Sequence, residues 1–340
     1  MLRYLTAGES HGKCLAGILE GFPAGVKVPR AYITAQLRRR RQAPGRSARQ
    51  ALETDAFEII SGMDGDTTTG APVTVLVPNR GRAVPGFSAV PRPGHADLAG
   101  MLKYGTLNAA LVRERASARE TAARVALGSF ALKLNELLGV TINSRVVSLG
   151  RLASLDAASA AAELLRARRA GDTLGGTFEV TAEGLPAGLG DFTQHDRRLG
   201  ARLASAMLGI NGVKGVEIGG GFALAALGGI EASSDPELSG GLDGGMTNGR
   251  VLKLRCAVKP VPGLPGGSPS ADLRSGRKTL SVSKTSDTSA VFAAAVVAEH
   301  AAALTLAGAL LEKFGGDSFL ELKPRVDEWR KKTGKLLKAL

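Results

Sequence analysis

The turn Glu20-Gly-Phe-Pro-Ala-Gly25 returns later in the chain as Glu183-Gly-Leu-Pro-Ala-Gly188. Each copy follows strand-like sequence and precedes a helix with basic and apolar faces, residues 31–41 in the first case and 197–208 in the second. A true duplication confines the chain to two similar α+β halves related by a pseudo-twofold, with a site between them. Gly-x-Pro-Ala-Gly is also a good generic turn, so coincidence is the competing account.

The elements read from the pattern fit such halves. Residues 3–28 alternate weakly and give two strands around a turn at Gly8 to Gly12. Residues 31–41 form a short helix, and 57–62 and 71–78 two strands about the turn Met63 to Gly70. The Ala-rich run 125–138 has Leu, Phe and Val three or four apart, which predicts a helix with a buried face. Then follow a strand over 140–148, a helix over 156–169, a strand over 175–181, and a turn, strand and glycine bend over 211–222. Residues 251–258 form a strand, 279–283 a short one, and 290–314 a long Ala/Val/Leu helix stopped by Gly315-Gly316. Segments 79–90, 233–249 and 262–277 read as loops. The expected organisation is one catalytic domain, residues 1–322, and a charged tail, 323–340.

Charge narrows the function. With 44 Lys and Arg against 31 Asp and Glu, the formal net charge is +13, so anionic partners are expected. Nucleic-acid binders spread such charge over a surface, and single-strand binders add aromatic platforms. Enzymes for multiply anionic small molecules gather arginines in a pocket, where the planar fork grips carboxylate and phosphate. Aromatics are only 4% of the chain, which weakens the stacking option. No run of 18 apolar residues suggests a membrane span, and the N-terminus lacks a signal-peptide apolar core. Cys14 and Cys256 fit no disulfide framework, zinc or redox spacing, and a reducing cytoplasm is the simple inference.

Three stretches could carry chemistry. Gly8-Glu-Ser-His-Gly12 matches the G-x-S-x-G nucleophile elbow, but that elbow needs a helix straight after the serine. Gly12, Gly17, Gly21 and Pro23 leave no room for one, so a hydrolase is rejected. Ser10 and His11 on a glycine turn are still presented for chemistry. Pro91-Arg-Pro-Gly-His-Ala-Asp97 is stiffened by its prolines, which hold Arg92, His95 and Asp97 with little freedom. The stretch from Arg113 to Val125 carries four arginines and two glutamates and runs into the apolar helix. Cations gathered where free helix N–H groups point out make an anion site, although a solvated charged turn reads the same way.

Taken together, these segments resemble the chorismate synthase family from Leu2 to about Leu322. The matching pieces are Thr6-Ala-Gly-Glu-Ser-His-Gly12, Arg92-Pro-Gly-His-Ala-Asp97, residues 114–125, Gly184 to Gly190, Lys214-Gly-Val-Glu-Ile-Gly219, Gly244-Gly-Met-Thr-Asn-Gly249 and Leu311-Glu-Lys-Phe-Gly-Gly-Asp317. The resemblance implies helices packed between antiparallel sheets, a β-α-β sandwich, and a homotetramer. It implies a 1,4-anti elimination of phosphate from 5-enolpyruvylshikimate 3-phosphate to give chorismate, in the shikimate pathway. It further implies reduced FMN without net redox change, NADPH contact at Arg40 and Arg46, and an external flavin reductase. No metal, nucleic acid or membrane enters this reading.

By position, the resemblance makes His11 the acid for the departing phosphate, His95 the histidine near the flavin, and Asp287 the acid assisting proton removal. Ser10, Arg40, Arg46, Arg92 and Arg119 fall where the family grips substrate. Arg115, Ala116, Ser117, Asn211, Gly212, Gly244, Lys259, Pro260, Val261, Pro262, Gly263 and Thr285 fall at flavin-contacting positions. Arg113 and Arg124 keep the plainer reading of ordinary charged helix positions. Three departures stand out. Thr285 replaces the family's usual arginine, the loops 79–90 and 233–242 are short, and residues 259–263 lack the family's hydroxyls. A basic RNA-associated protein and an impaired family member are the rival readings.

Overall fold

The computed structural model describes residues 1–47, 53–80, 86–283 and 286–337. Strands β1 (Arg3–Gly8) and β2 (Cys14–Glu20) pair antiparallel, with Leu15, Gly17 and Leu19 of β2 facing in and Ile18 facing out. The bend between them requires glycine. Gly8 lies at φ 97°, and a Cβ there would sit 2.4 Å from the Cys14 carbonyl oxygen. Helix α1 (Arg30–Arg41) buries Ile33, Gln36, Leu37 and Arg40, one stripe at helical spacing, and closes on four arginines that its dipole favours. Strand β3 (Glu58–Ser61) and β6 (Val73–Pro78) complete a sheet of order β1-β2-β6-β3, and between them β4 (Met63–Asp64) and β5 (Thr67–Thr68) form a separate small hairpin.

After α2 (Asp97–Tyr104), α3 (Ala109–Ala116) and α4 (Thr121–Leu137), the pattern repeats. Strand β7 (Thr141–Leu149), helix α5 (Ala157–Arg169), β8 (Gly176–Glu183), α6 (Leu199–Leu208) and β9 (Val213–Ile218) follow. Helix α7 (Gly229–Ser234), the hairpin β10 (Leu242–Asp243) with β11 (Met246–Thr247), and β12 (Leu252–Val258) close a second sheet of order β7-β8-β12-β9. The order is the same as in the first sheet, element for element.

The duplication is real, and a second repeat proves it. Thr68 Oγ1 donates to the Pro23 carbonyl at 2.6 Å and accepts from the Val26 N–H at 3.0 Å. Thr247 Oγ1 donates to the Pro186 carbonyl at 2.6 Å and accepts from the Leu189 N–H at 2.8 Å. The two threonines sit alike in Asp64-Gly-Asp-Thr-Thr-Thr-Gly70 and Asp243-Gly-Gly-Met-Thr-Asn-Gly249, a pair the sequence reading passed over. Each repeated turn is thus fastened by its own repeated hairpin.

Between the sheets lie α4 and the 24-residue α8 (Val291–Phe314), which follows the hairpin β13 (Ser268–Ala271) and β14 (Lys278–Ser281). Helix α4 packs under β2 and β6, and α8 under β7 and β8. They touch closely at Gly128, where a Cβ would meet the His300 Cβ at 2.5 Å. Leu127, Phe130, Leu134, Leu306 and Leu310 are fully buried there, each contributing about 1.5–3 kcal/mol of transfer free energy. On length and composition α8 could cross a membrane, but here 89% of its apolar window is buried inside the protein.

Some expectations need correction. The stretch from Arg113 to Val125 is not one helix start. Helix α3 ends at Ser117, which is extended (φ −66°, ψ 137°), and a 3-10 turn over Ala118–Glu120 leads into α4. Strand β13 and the β10–β11 hairpin arise in segments read as loop, whereas β14 falls on the short strand expected over 279–283. The proposed boundary at 322/323 falls inside α9 (Phe319–Leu337), which buries Leu322 and Val326. Trp329 Nε1 donates to the Ala187 carbonyl of the second repeated turn at 2.9 Å, so this helix is fastened to the body.

Candidate active site

A cavity of about 920 Å³ opens between the two halves. Its walls are the Gly8–Gly12 turn, the loop before α2, the α3–α4 junction, the end of α6, residues 259–263 and the start of α8. The residues just before α4 and α8, Glu120 and Ala290, both line it. Among the described lining residues, eight cations (Arg46, Arg92, Arg113, Arg115, Arg119, Arg124, Lys214, Lys259) meet four carboxylates (Glu53, Glu114, Glu120, Asp287).

The first histidine sits on the tied-down glycine turn. Asn79 Nδ2 donates to the carbonyls of Glu9 and Gly12, both at 2.9 Å, and the Ser10 N–H donates to the Glu114 carbonyl at 3.0 Å. One carboxylate then takes His11 twice. Glu114 Oε2 accepts the His11 backbone N–H at 2.7 Å, and Oε1 lies 2.6 Å from the ring Nδ1.

The second histidine is held by Asp97, which is fully buried. Its carboxylate accepts from His95 Nδ1, from the Arg92 N–H at 2.9 Å and from Arg113 Nε at 2.7 Å. Burial pushes the Asp97 carboxyl up, but the His95 hydrogen bond, the Arg92 N–H, the charge of Arg92 and the Arg113 hydrogen bond outweigh it and hold the group well below the usual carboxylate range. Arg92 Nη2 lies 3.1 Å from both His95 ring nitrogens, so the guanidinium crosses the imidazole.

The arginines divide into braces and wall. Arg40 is 1% exposed and does not line the cavity; Arg40 Nη2 donates to Asp55 Oδ2 at 2.6 Å. Arg119 takes the other oxygen of Asp55, and also reaches Asn79 Oδ1 at 2.9 Å and Glu53 Oε2 at 3.3 Å. Burial pushes the Asp55 carboxyl up, but Arg40 and Arg119 overcome this and lower it. Asp55 is the one non-glycine residue with positive φ (51°) among the described residues, a conformation aspartate tolerates better than most. Arg46 Nη1 donates to Asp287 Oδ2 at 2.8 Å, while its buried Nε has no hydrogen-bond partner among the described residues. Arg115 reaches back to the Thr6 carbonyl at 2.8 Å. Burial, and then Lys214, lower the Lys259 ammonium, and neither lysine has a carboxylate within ion-pair reach among the described residues.

The fold therefore brings together Ser10, His11, Arg46, Arg92, His95, Arg115, Ala116, Ser117, Arg119, Asn211, Gly212, Lys259, Pro260, Val261, Pro262, Gly263 and Asp287 on one cavity. It does not bring Arg40, or Gly244, which sits on the β10–β11 turn beside Phe192. Thr285 lies outside the described residues. Glu53, Glu114 and Lys214 line the cavity without having been picked out. Arg113 and Arg124 are not ordinary surface positions either. Arg113 holds Asp97, and Arg124 spans Glu120 at 2.6 Å and the Gly209 carbonyl at 3.0 Å. Nothing local marks Glu114, because its partner is 103 residues away in the chain.

The family model for chorismate synthase matches residues 2–311. The chain belongs to the chorismate synthase family. Among curated chorismate synthases, that of Mycobacterium avium (strain 104) is 42% identical over 387 aligned positions, covering 97% of this chain and 96% of the relative. That of Mycobacterium tuberculosis (strain ATCC 25177 / H37Ra) is 41% identical with the same coverage. A crystal structure of chorismate synthase superposes with a TM-score of 0.79 at 34% identity, covering 96% of this chain and 97% of the other. The match confirms the α+β sandwich. An alignment of 387 positions against 340 residues also means that the Mycobacterium avium enzyme carries insertions this chain lacks.

Proposed function

We propose that the cavity converts 5-enolpyruvylshikimate 3-phosphate to chorismate by 1,4-anti elimination of phosphate, with reduced FMN bound beside the substrate. The observation that carries this is the pairing of two carboxylate-braced histidines with an excess of cations around one space. The substrate bears two carboxylates and a phosphate, and the cofactor another phosphate. Two such charges 4 Å apart repel by roughly 4 kcal/mol at an effective dielectric constant of about 20, so the site needs convergent cations. The same convergence favours this reading over a basic RNA-associated protein, whose arginines would be scattered.

The residues present fit the flavin. Among the described residues Lys214 and Lys259 have no acidic partner and the buried Nε of Arg46 has no hydrogen-bond partner, and Asn211, Gly212 and residues 259–263 line the cavity with them. Reduced FMN, when bound, supplies transient electron density to the substrate and is returned without net oxidation. The chain does the rest. Arg46, Arg92 and Arg119 hold the substrate's anionic groups, and Arg40 acts on Arg119 through Asp55. His11 gives a proton to the departing phosphate. His95 keeps a proton near the flavin, and Asp287 assists removal of the substrate's C6 proton.

The reading extends to a homotetramer in a reducing cytoplasm, supplied with reduced flavin by a separate reductase. Leu5 and Ile18, cross-strand partners on the outer face of the first sheet, are 66% and 43% exposed, an apolar pair that a second subunit would cover. The cofactor part is tested by FMN fluorescence. Addition of protein and 5-enolpyruvylshikimate 3-phosphate should quench it, and no quenching at saturating protein would overturn flavin binding.

A further inference from the structure

We propose that Glu114 is a positioning residue that fixes both the orientation and the tautomer of His11. The inference rests on the role given to His11 above. Glu114 is 9% exposed, and its two oxygens take two different groups of one residue, the His11 backbone N–H at 2.7 Å and the ring Nδ1 at 2.6 Å. A carboxylate held by the backbone cannot turn away from the ring without losing that bond. The Glu114 carbonyl meanwhile accepts the Ser10 N–H at 3.0 Å, so the glycine turn is fastened to α3 by both main chain and side chain.

The chemistry follows from the acceptor. An ionised carboxylate only accepts, so the ring nitrogen facing it must carry the hydrogen. Nδ1–H is therefore fixed, and Nε2 becomes the nitrogen through which the ring gains and loses its proton. When Nε2 gives a proton to the departing phosphate, the ring that remains is the Nδ1–H tautomer that Glu114 already holds. No ring flip or tautomer exchange is needed before Nε2 is protonated again. While the ring is charged, the carboxylate also balances that charge inside a wall rich in arginine.

The neighbouring residue on α3 makes a related link. Arg113 Nε donates to Asp97 at 2.7 Å, and Asp97 in turn holds His95. Consecutive positions of one short helix thus refer both histidines to the same support.

The test combines ¹⁵N NMR of the His11 ring, at a pH where the ring is neutral, with steady-state kinetics of Glu114→Gln. Wild-type protein should show the Nδ1–H tautomer in majority. E114Q should shift it toward Nε2–H and lower kcat by roughly 10- to 100-fold, the range for groups that orient a first-contact residue. KM for 5-enolpyruvylshikimate 3-phosphate should stay within about twofold, and H11A/E114Q should be no slower than H11A. A wild-type ring in the Nε2–H form overturns the proposal and needs no variant to fold. So does wild-type kcat in E114Q. A purely structural Glu114 would lower the melting temperature and leave the tautomer unchanged. If H11A itself turns over at the wild-type rate, the role of His11 fails instead.

Discussion

Arg113 and Glu114 are neighbours in the chain, yet they serve different histidines. Arg113 reaches His95 through Asp97, and Glu114 contacts His11 directly. Side chains one residue apart on a helix diverge by about 100°, so a single turn of α3 can support two parts of the cavity wall. From this arrangement and from the buried arginines, consequences follow that can be measured.

His11→Ala and His95→Ala should each slow chorismate formation about a hundredfold or more, within the range for loss of a positioned acid or base. The effect should lie in kcat, since the arginines proposed to hold the substrate are untouched. Wild-type kcat in either variant would remove that histidine from the chemistry.

Asp97 predicts a pH dependence of stability. Its carboxyl is depressed in the folded protein, because hydrogen bonds from His95 and Arg92 and the nearby guanidiniums outweigh burial. A depressed group adds stability above the unfolded value of about 3.9, and that stability is lost as pH falls through the folded value. Wild-type protein should therefore exceed Asp97→Asn in urea midpoint at pH 7, and the gap should shrink from about pH 4 downward. A gap that stays constant or widens there would contradict the assignment.

Arg40 should matter more for stability than for direct contact. Arg40→Met leaves Asp55 buried with one guanidinium instead of two. Breaking a buried pair in this way costs roughly 3–5 kcal/mol. Urea unfolding should show a loss of that size, with KM for the substrate rising because Asp55 then draws on Arg119 alone. A loss below about 1 kcal/mol would mean that Asp55 and Arg119 manage without it.

Gly128 lets the two central helices approach closely. A Cβ there would lie 2.5 Å from the His300 Cβ, so Gly128→Ala should force α4 and α8 apart. Overpacking of this kind costs typically 1–3 kcal/mol despite alanine's better helix propensity. A stabilised G128A would show that the helices can separate freely.

How much could be read from sequence differs by residue. The repeated turn pointed to two halves because its glycines and proline dictate backbone shape locally. Arg92 and His95 could be singled out because Pro91 and Pro93 stiffen that loop. The break at Ser117 could not be read, since the sequence around it has good helix propensity. Tertiary contacts decide it there: Asn211 Nδ2 donates to the Ala116 carbonyl at 3.1 Å, and the Ser117 hydroxyl caps the Arg119 N–H. Strand β13 was hidden by Pro269, which is tolerated because the hairpin has only two strands, both edges. The burial of Arg40 was hidden for a different reason. Four consecutive arginines look alike, and only the packing of α1 selects one to face Asp55.

The most direct measurement is anaerobic turnover. Protein, reduced FMN and 5-enolpyruvylshikimate 3-phosphate are mixed, and chorismate and inorganic phosphate are followed together. The account predicts equal amounts of both products, with the flavin reduced at the end as at the start. Folded protein that binds flavin and substrate but releases neither product would contradict it.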